Sequence, residues 1–324
     1  MQQIHLIVCL LIFSIFDNFF HLGISYNQPQ FDASTVWNSN GITITDSNTV
    51  GTSPFGIFIN RNNTIYIPGR NSKRIYIWMN NSVNPTKQIN TNQFTQLSIF
   101  VTSNSDIYTT SVNSSWTINR WLSNETNTSA TIAYSDSSSY SIFIDINNTL
   151  YFSTDNKNNI LSKSLSSSSN ILTLVAGTNV AGNTANMLNT PRGLFVDVNF
   201  DLYVADRGNH RVQLFRQGQQ NAITVAGSGS LNATITLNRP IHVVLDMDKY
   251  LFIVDQSNHR IVGSNENGFH CIVGCTGSWG SSANTLNKPT SMAFDSFGNI
   301  YVVDESNNRI QKFLRLNNTL SKYR

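Results

Sequence analysis

The chain of 324 residues carries 21 Lys and Arg against 18 Asp and Glu, a formal charge of +3 with no basic tract, which argues against a phosphate backbone as its partner. Hydrophobic residues make up 40% and aromatics 11%, enough for a core, while charged residues reach only 12%. That is about half the usual share, so Asn, Ser and Thr must cover the surface.

In chain order, the first segment is "MQQIHLIVCLLIFSIF", whose apolar run from Ile4 to Phe16 is too short to cross a bilayer and stands at the N-terminus. It reads as a signal peptide over residues 1–25, with cleavage expected between Gly23 and Tyr26. No later apolar run approaches the roughly 20 residues needed to span, so the expected product is secreted and extracellular, with no membrane span. A lead-in over 26–40 precedes the main domain at 41–315, and residues 316–324 form a tail.

The main domain is built on one repeated hairpin. "YVADRGNHRV" from Tyr203 returns as "FIVDQSNHRI" from Phe252 and "YVVDESNNRI" from Tyr301, while Pro191, Pro240 and Pro289 keep the same spacing of 49 residues. Weaker copies open at Tyr66, Tyr108 and Tyr151, so six hairpins follow one another at intervals of 42, 43, 52, 49 and 49 residues. Such a period is that of propeller blades. Each unit holds four short runs rich in β-branched and aromatic residues with Asn, Gly or Asp between them, as in "GLFVDV", "LYVADRG", "HRVQLF" and "AITVAG". The predicted fold is all-β: a six-bladed β-propeller of four-stranded antiparallel blades. After Tyr301 only one more strand, "RIQKFLRL", remains, so "GITITD" from Gly41 is expected to supply the missing outer strand of the last blade and close the ring.

Asp206, Asn209 and Arg211 offer a carboxylate, an amide and a guanidinium, but Asp255, Asn258, Arg260 and Asp304, Asn307, Arg309 repeat the set. One active site does not need three copies. Asp accepting turn N–H groups, Asn in a left-handed position and Arg bonding back make this a scaffold. Asp197, Asp246 and Asp295 also recur by blade and read as turn formers.

The combination "P.GLFVD...LYVADRGNHRV" resembles the NHL repeat, carried by Asn209, His210 and Arg211 and again by Asn258, His259 and Arg260. The resemblance is strong over about residues 170–313. It is weaker over 41–169, where Gly69 and Thr154 replace the Asp of the motif. It implies a six-bladed propeller that binds protein, peptide, RNA or carbohydrate, with a minority of enzymes. RNA fits poorly with secretion and weak charge. The amidating-lyase branch would need zinc held by histidines around the channel, and only His242 lies near the start of an inner strand. A calcium-dependent lactonase-like site would need several carboxylates on one ion. No cofactor is therefore expected, the alternative being one Ca or Zn in the central channel of a metal-dependent lyase or hydrolase.

Cys271 and Cys275 are expected to form a disulfide if the chain folds back near Gly274; a two-thiolate metal site lacks C-x-x-C spacing. Glycosylation sequons begin at Asn62, Asn80, Asn113, Asn124, Asn127, Asn147, Asn232 and Asn317. All but Asn113 and Asn232 fall in turns after first or third strands, which share one face of the disc, here the sequon face. The opposite hairpin face, with its inner-strand entries, is the better site for an extracellular protein, peptide or glycan. Its expected ligand-binding residues are Phe55, Phe58, Arg192, His242 and Thr290 near the centre, with Arg70, Arg207, Arg239, Lys288 and Trp279 around them. Trp279, in a Gly/Ser loop, either stacks on a ligand or folds over the blade edge. Phe195 reads as ordinary sheet packing.

Overall fold

The structure, a computed structural model, describes residues 24–91, 95–112, 114–123, 128–230 and 235–316. Six four-stranded antiparallel sheets follow one another along the chain. Their inner strands are Phe58–Ile59, Thr95–Val101, Ile142–Ile144, Leu194–Val196, Pro240–Leu245 and Pro289–Phe294. The predicted closure holds: Ile42–Asp46 pairs antiparallel with Arg309–Phe313, completing the sixth blade with the first strand of the domain. A second, shorter clasp pairs Val36–Trp37 with Arg315–Leu316. Among the described residues no helix is long and apolar enough to cross a membrane.

The repeated residues do scaffold work, and more of it than a hairpin requires. In blade four, Leu202–Asp206 turns through Arg207–Asn209 into Arg211–Phe215, with His210 left-handed at φ 56°. Asp206 is fully buried. Its Oδ1 accepts the Asn189 N–H at 2.7 Å, and its Oδ2 accepts from Asn209 Nδ2 at 2.8 Å and Arg211 Nε at 2.7 Å. Arg211 then donates to the carbonyls of Asn183, Thr184 and Met187 in the loop arriving from the previous blade. Asp304, Asn307 and Arg309 repeat this arrangement on Ser281, Ser282 and Thr285. The set is thus an anchor between hairpin and connecting loop, in which one buried carboxylate orients a guanidinium that gathers several loop carbonyls.

The left-handed residue that follows is a staple between blades. His210 Nδ1 accepts the backbone N–H of Arg239 at 3.2 Å, and His259 Nδ1 that of Lys288 at 3.0 Å. Asn158 and Asn308 do the same for Thr190 and Ser53 through Oδ1. Each receiving residue, Ser53, Thr190, Arg239 or Lys288, has positive φ and is followed by the proline that leads into an inner strand. A histidine in this place must be neutral at Nδ1 to accept, so the imidazole acts as an amide would.

The segment over residues 26–40 is packed onto the ring, and Ile24 and Ser25, which precede it, are buried. The segment crosses the sequon face: Asn27 Nδ2 donates to the Phe294 carbonyl, Gln28 Nε2 to that of Asp246, and Trp37 Nε1 to that of Gly298. Phe31 packs edge-on against Trp37 and Phe294, at 5.0 and 5.2 Å between centroids. The disulfide is present, Cys271 to Cys275 with Cα atoms 5.8 Å apart, and Gly274 at φ 73° makes the reversal. Residues 1–23 of the expected signal peptide, the sequons Asn113, Asn124, Asn127, Asn232 and Asn317, and residues 317–324 of the expected tail lie outside the described residues.

Removing one partner of a buried ion pair strands the other. Asp206→Ala is therefore expected to cost about 3–5 kcal/mol, read as a lower urea midpoint at unchanged slope. Arg74→Ala, in blade one where Gly69 replaces the carboxylate, should leave the midpoint almost unmoved.

Candidate functional site

The six inner strands leave a central channel whose two ends differ. At one level stand Phe58, Phe100, Phe143, Phe195, Val244 and Ala293, each paired with the repeat aromatic on its neighbouring strand. Four phenylalanines from consecutive blades thus meet side by side, at 5.1, 5.1 and 4.9 Å between centroids. Phe195 is channel wall as well as the sheet packing expected from sequence. The small side chains of Val244 and Ala293 leave the remaining arc open.

Tyr26 closes this level toward the sequon face. Its ring sits edge-on to Phe100, Phe143 and Phe195 at 6.3, 5.4 and 5.5 Å. Burial first, then the carboxylates Asp197 and Asp145, push its hydroxyl well above the usual range, so it stays a neutral phenol. The channel is consequently a cup, floored by Tyr26 and open toward the hairpin face.

Two residues earlier in the inner strands come Gly56, Ser98, Ser141, Gly193, His242 and Ser291, small except for one imidazole. A Cβ on Gly193 would lie 2.5 Å from His242 Cα and from the Ile241 carbonyl, so glycine there lets blade five approach. His242 lines the cup, and its Nδ1 is buried without a hydrogen-bond partner. Burial pushes its pKa down to about 4, leaving it neutral at physiological pH.

The rim carries Phe55 and Tyr140, 5.5 Å apart. Arg192 stacks on Tyr140, its guanidinium carbon 3.8 Å from the ring centroid, and its Nε donates to Asp155 at 3.1 Å. Arg207 lies within electrostatic reach of Arg192, Arg239, Asp155 and Tyr140. Burial first, then Arg192 and Arg239, pull its pKa down to about 10, and its Nε is buried without a partner.

Of the residues expected from sequence, Phe55, Arg192, Arg207, Arg239 and His242 therefore gather at one mouth. Thr290 lines the cup, but its hydroxyl donates to the Phe55 carbonyl at 2.8 Å and ties blade six to blade one. Lys288 is exposed beside His259, while Arg70 and Trp279 do not line the cup; Trp279 is 65% exposed. Tyr26, Tyr140 and Asp155 were missed. The phenylalanine ring had a readable signal, Phe eight residues before the repeat tyrosine in four blades, whereas Tyr26 lies outside every repeat.

The donors for a channel metal do not converge. Among the described residues no three His, Cys, Asp or Glu side chains lie together. Asp145, Asp197, Asp246 and Asp295, at the sequon end, each accept backbone N–H groups of their own turns through Oδ1.

Residues 188–215 and 286–313 match the NHL repeat, so the propeller carries this repeat in its fourth and sixth blades. No curated protein matches the chain. Solved structures share the fold. A protein of unknown function from Bacteroides thetaiotaomicron is 16% identical, with a TM-score of 0.66 over 90% of this chain and 75% of that one. A catalytically inactive virginiamycin B lyase from Staphylococcus aureus, with quinupristin, is 13% identical, with a TM-score of 0.58 over 86% and 99%. A putative gluconolactonase is 10% identical, with a TM-score of 0.60 over 90% and 97%.

Because the folded pKa of His242 lies below the ordinary 6.5, the unfolded chain binds the extra proton first as the solution is acidified. His242 thus favours the fold above pH 6.5 and loses that contribution as pH falls toward about 4; His259, lowered by burial and Lys288, acts in the same direction. Asp246, raised by burial to about 6, acts oppositely, so a comparison of variants is needed. His242→Leu should show a smaller drop in Tm from pH 7 to pH 4.5 than the unaltered protein; equal drops would contradict the assignment.

Proposed function

We propose that this propeller is a secreted recognition module that binds an extracellular protein, peptide or glycan noncovalently at the mouth of its channel. The observation that carries the reading is the blind cup: an aromatic wall, a floor made by Tyr26, and a rim with three arginines. A preformed concave apolar site with a few polar groups is what ligand recognition requires, and loops from separate blades can vary around it without disturbing the anchors. The exposed sequon residues Asn62, Asn80 and Asn147 stand on the opposite face, which the N-terminal segment also crosses. Glycans there would leave the hairpin face free.

A metal-dependent lyase or hydrolase is the second reading, prompted by the fold shared with the lyase and the putative gluconolactonase. It would place one Ca or Zn in the channel, and His242 as a lone imidazole among small residues and phenylalanines is a poor donor set for either.

Ala293→Phe extends the phenylalanine ring into the open arc and tests the site. Screened against immobilised peptides and glycans, the unaltered protein is expected to retain ligands that this variant releases, while Asn62→Gln on the sequon face changes nothing. Ligands held equally by both proteins would place recognition elsewhere. Glycosidase treatment of protein collected from the medium should lower its mass, and an unchanged mass would contradict the glycosylated secreted form.

A further inference from the structure

The cup is small and its rim is specific. Its volume is about 80 Å³, near half of the roughly 150 Å³ cavity that takes up one benzene. It suits a single branched aliphatic group entering from the open mouth, against Phe55, Phe58, Phe100 and Ile241. Above it, three guanidinium groups face one carboxylate, and that carboxylate, Asp155, is engaged by Arg192. Arg207 and Arg239 therefore remain in excess, with the buried Arg207 Nε lacking an acceptor. A burial that strips water from a guanidinium and places two like charges beside it is costly until an anion arrives. An incoming carboxylate would accept from Arg207 and offset the repulsion among the three, in a geometry that guanidinium groups match.

We propose that the ligand is a carboxylate borne on a compact apolar group, its anionic head held by Arg207 with Arg192 and Arg239 and its branched tail seated in the cup. This rests on the reading of the channel mouth as a recognition site, and narrows it to one chemistry. Two sources supply that chemistry, a free branched-chain acid and the C-terminus of a peptide ending in an aliphatic residue. Asp155 bonds Arg192, and its single charge leaves the three guanidinium groups a net positive cluster.

The test is calorimetric titration of the full secreted protein with 4-methylpentanoate, with 4-methylpentanol as its uncharged counterpart, and with a leucine-ended tripeptide bearing either a free or an amidated C-terminus. The acid should bind at least tenfold more tightly than the alcohol, and less tightly as salt is raised. Arg207→Gln should abolish that preference while keeping the weak binding of the alcohol, and Ala293→Phe should abolish both. Tighter binding of the free-ended peptide than of 4-methylpentanoate identifies a peptide terminus as the source, and the reverse order identifies a free acid. Equal binding of acid and alcohol, or a preference untouched by Arg207→Gln, overturns the carboxylate assignment. So does failure of every acid to bind at millimolar concentration. The recognition reading itself fails separately, if no peptide or glycan is released by Ala293→Phe.

Discussion

Everything in this molecule depends on tying each hairpin to the loop beside it. A propeller blade packs on its neighbours through sheet faces without strand pairing between them, and the connecting loops between blades need side-chain ties. The buried Asp206, Asp255 and Asp304, each with its Asn and Arg, provide them. The histidine or asparagine at the left-handed position then bonds the entry of the next blade. These ties and the returning N-terminal strand close the ring, and only a closed ring has a channel of fixed width.

The channel is asymmetric around its axis. Blades four to six have the full set, and blades five and six contribute small residues, Val244 and Ala293, at the channel level. Blades one to four contribute the phenylalanines, and in blades one to three the anchor has drifted: Gly69 stands without a carboxylate, and Thr154 bonds Asn159 instead. The divergent early blades contribute three of the four wall phenylalanines, with Tyr140 and Asp155 on the rim. The N-terminal segment adds a second asymmetry along the axis. By filling the sequon end with Tyr26, it converts a tunnel into a cup.

The architecture was legible in the sequence because its cause is periodic. Recurring aromatics, prolines and the Asp-Asn-Arg set report the blades directly, and the missing last strand matched a spare one at Gly41. The arginines of the rim were also legible, since Arg192, Arg207 and Arg239 stand beside repeat landmarks whose place in a blade is known. What failed to show was aperiodic. Tyr26 lies in a polar stretch with no repeat to locate it, and its role comes from a contact with blades two, three and four far along the chain. Phe195 was read only in part for a related reason: one strand looked at alone gives a buried phenylalanine, and only the four aligned strands give a wall. Trp279 is the converse case, an exposed side chain in a loop that does not line the cup.

The central claim is that the cup floored by Tyr26 is the binding site, and the most direct measurement is a crystal structure of the protein grown with 4-methylpentanoate. The account predicts density for the branched tail between Phe58 and Phe100, above the Tyr26 ring, with the carboxylate at Arg207. Density for the acid at the sequon face, or an open channel with Tyr26 displaced from Phe143 and Phe195, would contradict it.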